Sequence, residues 1–401
     1  MLWDALTLQL GYNATLVAIG ATLLGFSAGV TGTFLFLRKR ALVSDAISHA
    51  TLPGVCIAFM VLVALGGTGR NLIGLLSGSA ISAAVGLLCM NWLIRRTRLA
   101  EDAAIGAVLS VFFGFGIVLL TIIQTMGVGR QAGLEGFLLG STAGMLWSDA
   151  LIIAIGGAAT LLLVMIIRRP MMMVAFDSEY AAALGLPVHR IDLAMMGLVM
   201  AVTVVGLKIV GLILIVALLI IPAVTARFWS DRSDHVVVLS GVIGGLSGYL
   251  GAAVSASAPN LPTGPIIVLF SFGFFVVSLF LAPVRGVLAA IVRHLRFQRR
   301  VHIRQGLLAL AQGQNIYETY TLRLLRQAGL ARPDGVATDA GRAQAAKALR
   351  DEKRWEIVRA DNAHEAAAAL YDGLRDIETV LTRDQIDDID RRIGGPREVR
   401  Q

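Results

Sequence analysis

Residues 38–53 read RKRALVSDAISHATLP. Three bases, Arg38, Lys39 and Arg40, end one apolar run, and a second apolar run opens almost at once. Inside the start of that second run stand Asp45 and His49. On a helix, a spacing of four puts the carboxylate and the imidazole on one face, close enough to share an ion. Ionisable groups within a membrane segment are costly, so function is the default explanation for them there.

The rest of the chain supplies the membrane. Its 401 residues are 56% hydrophobic and 15% charged, with a mean hydropathy of +0.74. A soluble globular chain of this size has no use for so much apolar surface, and a polytopic membrane protein does. Residues 1–283 carry 14 Lys/Arg and 11 Asp/Glu, while residues 284–401 carry 21 and 16. A membrane domain over 1–283, a basic linker over 284–300 and a soluble domain over 301–401 follow. Basic loops on the cytoplasmic side account for part of the net charge of +8, which by itself is no sign of nucleic-acid binding. Cys56 and Cys89 both fall in apolar runs, so neither a disulfide frame nor a thiolate cluster is expected. Met1 to Asn13 lacks a basic leader, and the first apolar run reads as a retained span.

Apolar segments are expected near 14–37, 46–65, 72–94, 104–124, 146–167, 192–207, 210–225, 236–254 and 265–282. Placing the basic clusters at 38–40, 95–98, 168–169, 227–232 and 285–300 in the cytoplasm gives nine spans, with the N-terminus outside and the tail inside. The pair split by Lys208 is the weak point, and merging it leaves eight. Gly25/Gly29, Gly140/Gly144, Gly241/Gly245 and Gly244/Gly248 have the small-xxx-small spacing that permits close helix contact. The polar loop DSEYAAALGLPVHRID (177–192) favours a short helix over Ser178–Leu184, which Gly185 terminates and Pro187 cannot continue. Such a helix between two spans suits docking of a soluble partner, and an ordinary surface loop fits the pattern as well.

Two readings of Asp45 and His49 stand side by side. In one, Asp45 is a first-turn acid favoured by the helix dipole, Ser44 caps the helix and His49 is a hydrogen-bonded core residue. In the other, both bind a metal ion. Of the six histidines only His49 lies inside an expected span; His189, His235, His294, His302 and His364 do not. A carboxylate with an imidazole suits Mn²⁺, Fe²⁺ or Zn²⁺ and disfavours Cu(I). Two ligands leave the shell open, which fits a permeating ion better than a stored one. Glu101 and Asp102 read as interfacial charges paired with Arg95, Arg96 or Arg98, and Asp149 as an interface anchor. No Walker-type phosphate loop occurs, so ATP-driven transport would need its ATPase on another polypeptide.

With those residues in view, the chain resembles the permease subunits of bacterial ABC importers for manganese, zinc and ferrous iron. The resemblance rests on FLFLRKRALVSDAISHATLPGV (34–55), EDAAIGAVLSVFFGFGIVLL (101–120), LEGFLLGSTAGMLWSDAL (134–151), VAFDSEYAAALGLPVHRID (174–192) and VVGLKIVGLILIVALLIIPAVTAR (204–227), and covers residues 14–282. It implies an all-α bundle like that of the vitamin B12 importer permease, in the bacterial cytoplasmic (inner) membrane. It also implies two ATPase subunits, a second permease subunit (identical or paralogous), and a periplasmic or surface metal-binding protein. The family's SDAxSHA motif places metal contacts on Asp45 and His49. Its coupling loop falls on Phe176, Asp177, Glu179, Ala182, Leu184, Gly185, Leu186 and Pro187. The cargo is the metal itself, with no tightly bound cofactor implied.

The tail has a resemblance of its own. RQAGLARPDGVATDAGRAQA (326–345), RDEKRWEIV (350–358) and DIETVLTRDQIDDIDRRIGGP (376–396) are similar to metal-dependent winged-helix repressors. Helices are expected near 302–312, 317–329, 339–350, 352–360, 363–372 and 383–393. The stretch 313–321 is too short for a full recognition helix, and Glu352 and Thr379 stand where metal-binding histidines would. A degenerate packing or regulatory domain is expected, and DNA is not expected as a partner. The rival readings are an ion-coupled secondary metal transporter and a membrane-tethered regulator.

Overall fold

The computed structural model describes residues 11–67, 71–125, 147–258, 261–361 and 365–394, together with Trp3, Thr7 and Gln9. Among them the chain is almost wholly helical, with one isolated bridge between Ala331 and Ala337 and no strand. It forms two compact units, residues 1–289 and 290–401.

In the first unit, the apolar runs become α1 (Tyr12–Leu37), α2 (Leu42–Ala64), α3 (Leu72–Arg96), α4 (Glu101–Thr125), α5 (Trp147–Phe176), α7 (Val188–Val210), α8 (Leu212–Trp229), α9 (Ser233–Ala256) and α10 (Thr263–Leu281). The short α6 (Ser178–Ala183) lies between α5 and α7. Eight of these helices are long and apolar enough to cross a membrane, and α8 contributes a shorter apolar stretch, Ile215–Trp229. The doubtful pair of the sequence is therefore two helices. Their break falls at Gly211, whose φ of +79° suits glycine alone, rather than at Lys208.

Small residues decide the packing of α1 against α9. A Cβ on Gly25 would land on the Gly244 carbonyl, and one on Gly29 on that of Ser240. The Ser240 hydroxyl donates to the Gly29 carbonyl across this contact at 2.7 Å. Gly248 meets Ala21 in the same way, so the two helices run antiparallel. Gly140 and Gly144 lie outside the described residues. Further pairs set the other directions: Gly54 against Gly78 for α2 and α3, Leu52 against Gly116 for α2 and α4, and Gly157 against Ser27 for α5 and α1. Thus α1, α3 and α5 run one way and α2, α4 and α9 the other, and Arg38, Glu101, Val174 and Asp192 meet at one end of the bundle.

The second unit is helical as well. α11 (Val287–Ala311) begins within the first unit and takes in most of the expected linker. It is followed by α12 (Thr319–Gln327), α13 (Asp339–Ala360), α14 (Glu365–Ala368), a 3₁₀ turn at Ile377–Thr379, and α15 (Arg383–Gly394). The expected break near residue 351 does not occur, and α13 is continuous. Thr338 caps α13 by accepting from the Gly341 N–H at 3.1 Å. Leu307, Leu325 and Ala345 belong to one small core of this unit, and Trp355, Ile377 and Ile389 to another.

Candidate metal centre

α2 starts at Leu42 with Ala41, which has no side-chain acceptor, at the cap position, and the Ser44 hydroxyl, already inside the helix, donates to the Ala41 carbonyl at 2.7 Å. Capping by Ser44 is thereby overturned. Asp45 sits in the first turn and His49 in the next, with His49 Nε2 3.4 Å from Asp45 Oδ1. The Asp45 side chain is 39% exposed and that of His49 19%. The other ring nitrogen, Nδ1, is buried without a hydrogen-bond partner. Phe113 of α4 holds the imidazole edge-on, with ring centroids 4.8 Å apart. Pro53 lies inside α2 and has no N–H, so the His49 carbonyl is denied its helical donor. That leaves the backbone oxygen of His49 itself without its usual helical bond.

Chemically, this is an open pair of donors on one helix face. Among the described residues no group of three or more His, Cys, Asp or Glu side chains converges to hold a metal. The rest of an ion's shell would come from water or backbone oxygens.

The 177–192 loop folds much as its residues dictate. Asp177 Oδ1 accepts from the N–H groups of Glu179 (3.1 Å) and Tyr180 (2.8 Å), which starts α6. Gly185, at φ +81°, ends it: its N–H reaches the Ala182 carbonyl and that of Leu186 reaches Ala181. Ala181 and Leu186 face inward, the former buried and the latter partly so. Phe176, Asp177, Glu179, Ala182, Leu184, Gly185 and Pro187 are exposed, as is Tyr180. Exposed Phe176, Tyr180 and Leu184 at one end of a bundle make an apolar surface of the kind that partners cover.

Two acidic residues depart from expectation. Glu101 pairs with Arg40 across the bundle end and not with Arg95, Arg96 or Arg98, which are exposed. Asp149, read as an interface anchor, is buried at 3% exposure in the first turn of α5. Sequence reasoning also missed Phe113 and Asp192. Asp192 accepts from Arg38 Nε at 3.2 Å and Nη2 at 3.1 Å, and its second oxygen pairs with Arg40. Only long-range proximity reveals these partners.

In the tail, Glu352 is already engaged, by the Tyr371 hydroxyl and by Arg304 at 3.4 Å. Burial, followed by the Glu352 contact, pushes the Tyr371 phenol above its ordinary range. Arg354 joins Asp351 (3.0 Å) and Asp390 (2.7 Å from Nε). The Arg354 hydrogen bond holds the Asp390 carboxyl below its usual value, whereas burial lifts that of Asp351.

Residues 12–282 match the ABC 3 transport family. This chain belongs to that family. Within it, the chain is 40% identical over 321 residues to the manganese transport system membrane protein MntC of Bacillus subtilis, covering 80% of this chain and 71% of that protein. Against the zinc transport system membrane protein TroC of Treponema pallidum it is 40% identical over 294 residues, covering 73% and 96%. The Bacillus alignment is longer than the 289-residue membrane unit, so it runs into the tail. The solved structure of PsaBC from Streptococcus pneumoniae in complex with Fab is similar at a TM-score of 0.62 and 31% identity, covering 71% of this chain and 98% of that one. A second solved structure, an ABC transporter in an inward-facing conformation, shares the fold at a TM-score of 0.53 and 17% identity. An all-helical ABC permease fold is thus the architecture of the family's match.

Proposed function

We propose that this ABC 3 family chain is the transmembrane permease subunit of an importer that moves a divalent transition metal into the cytoplasm, driven by ATP hydrolysis on separate ATPase subunits. The observation that carries the reading is the Asp45–His49 pair, half open on one face of α2, within a chain whose relatives are named for manganese and zinc transport. Oxygen and imidazole donors accept Mn²⁺, Fe²⁺ and Zn²⁺ alike, and an unclosed shell lets the ion leave.

In this reading the bundle end holding Arg38, Arg40 and α6 faces the cytoplasm, as the basic residues there favour. The exposed apolar residues of 176–187 receive the ATPase, and ATP binding shifts the bundle between outward- and inward-open arrangements. A periplasmic or surface metal-binding protein delivers the ion, and a second permease subunit completes the pathway. The tail, residues 290–401, lies in the cytoplasm as a packing or regulatory domain with the helical core of a degenerate winged-helix repressor.

Uptake tests the reading. Cells lacking their own manganese and zinc importers, supplied with this chain, its ATPase and its binding protein, should accumulate metal only while the ATPase is active. Competition among Mn²⁺, Zn²⁺ and Fe²⁺ identifies the cargo. Accumulation that persists with a hydrolysis-dead ATPase would point to the ion-coupled alternative.

A further inference from the structure

We propose that Asp192, gripped by Arg38 and Arg40, is a positioning joint that carries movement of the 176–187 segment to both walls of the metal centre. The proposal rests on the ATP-driven reading above.

The joint is built from four chain segments. Arg38 ends α1, and its Nη1 donates to the Val174 carbonyl at 3.0 Å, an acceptor in the last turn of α5 that lacks a helical donor of its own. The same guanidinium donates to Asp192 Oδ1 in the early turns of α7. Arg38 therefore holds the chain on both sides of α6, just before the exposed segment and just after it. Arg40 pairs with the other oxygen of Asp192 and, through Nε, with Glu101 at the start of α4. Two residues after Arg40, α2 begins, and it carries Asp45 and His49. α4 carries Phe113, which packs on the His49 ring. A displacement of α6 and α7 thus reaches the ligand helix through Arg38 and Arg40, and the opposite wall through Glu101.

Burial and backbone both suit a tie that stays made. The side chains of Arg38, Arg40 and Asp192 are 17%, 18% and 16% exposed, well below the exposure at which ion pairs contribute little. With Glu101 the cluster has two cations and two anions, so its formal charges cancel. Between the two arginines stands Lys39 at φ +58°, the one non-glycine residue with positive φ among those described. Its N–H bonds the Phe36 carbonyl while that of Arg40 bonds Leu35, a helix ending that normally takes glycine. The strain of a left-handed lysine is accepted where the fold needs Arg38 and Arg40 on the same carboxylate.

A simple staple would hold the protein together; a joint sets how much metal moves per ATP. The test reads that ratio in proteoliposomes containing the permease, its ATPase and its binding protein, with hydrolysis and metal entry followed in the same vesicles. In Asp192→Asn, hydrolysis should stay within about two-fold of wild type while metal moved per ATP falls about ten-fold, a size of effect that coupling residues reach. Asp192→Glu should recover most of the ratio. Arg40→Gln, which keeps the Arg38–Asp192 pair, should reproduce the loss and decides the matter if Asp192→Asn does not assemble. An unchanged ratio, whether both rates hold or both fall together, overturns the joint. Wild-type vesicles that hydrolyse ATP without moving metal would instead overturn the importer reading beneath it.

Discussion

His49 Nε2 stands 3.4 Å from Asp45 Oδ1, one helical turn up the same face of α2. The spacing is short enough for both side chains to reach one ion, and long enough that neither is consumed by a tight bond to the other. Phe113 packs edge-on against the ring from α4 and favours the orientation it holds.

Phe113→Ala should therefore weaken the centre without emptying it. An edge-on aromatic contact contributes about 0.5–1.5 kcal/mol, so uptake at limiting metal should fall by about two- to ten-fold. Uptake at saturating metal should change less. Initial-rate measurements over a range of metal concentrations separate the two.

The α1–α9 contact has no space for a methyl group. Gly25→Ala drives a Cβ into the Gly244 carbonyl, and overpacking of this kind costs about 1–3 kcal/mol. The melting temperature of the detergent-solubilised protein should drop. Gly106→Ala, with nothing within 4 Å of its new Cβ and a better helix former in place, should not lower it.

α6 depends on its two ends. Asp177→Ala removes the acceptor for two backbone N–H groups, a loss of about 1 kcal/mol, and Gly185→Ala imposes a similar cost at φ +81°. Both should reduce co-purification of the ATPase while leaving metal binding by the permease intact. Isothermal titration of the permease alongside the pull-down separates these effects.

The tail has its own acid dependence. Asp390 is held below the ordinary aspartate value of 3.8 by Arg354, so the stability it contributes is complete above that value and is lost as pH falls through the lowered one. Asp351, raised by burial, acts in the opposite sense: its contribution is present below 3.8 and lost as pH rises through its raised value. Arg354→Ala leaves Asp351 buried and unpaired, at a cost of about 3–5 kcal/mol. Limited proteolysis at neutral pH should then cut the tail far faster than in wild type, and Asp351→Asn added to that variant should slow cleavage again.

The sequence made the helices legible because the spans are long apolar runs closed by bases, glycine or proline. It also exposed the Asp45–His49 pair and the start and stop of α6, since both depend on spacings of a few residues. What it hid was distant in sequence. The bases nearest Glu101 along the chain are Arg95, Arg96 and Arg98, yet its partner is Arg40, brought close by the parallel packing of α2 and α4. Asp192 meets Arg38 across 154 positions, a pairing that local periodicity does not encode. Asp149 follows the exposed Trp147 by only two residues, yet the helix has turned its side chain inward, which sequence proximity does not reveal.

The central claim is that Asp45 and His49 carry the metal through the membrane. Metal accumulation by cells expressing Asp45→Ala or His49→Ala, with permease abundance and ATPase association measured in parallel, tests it most directly. Loss of accumulation with abundance and association at wild-type levels is the predicted result. Accumulation at the wild-type rate in both variants would contradict it.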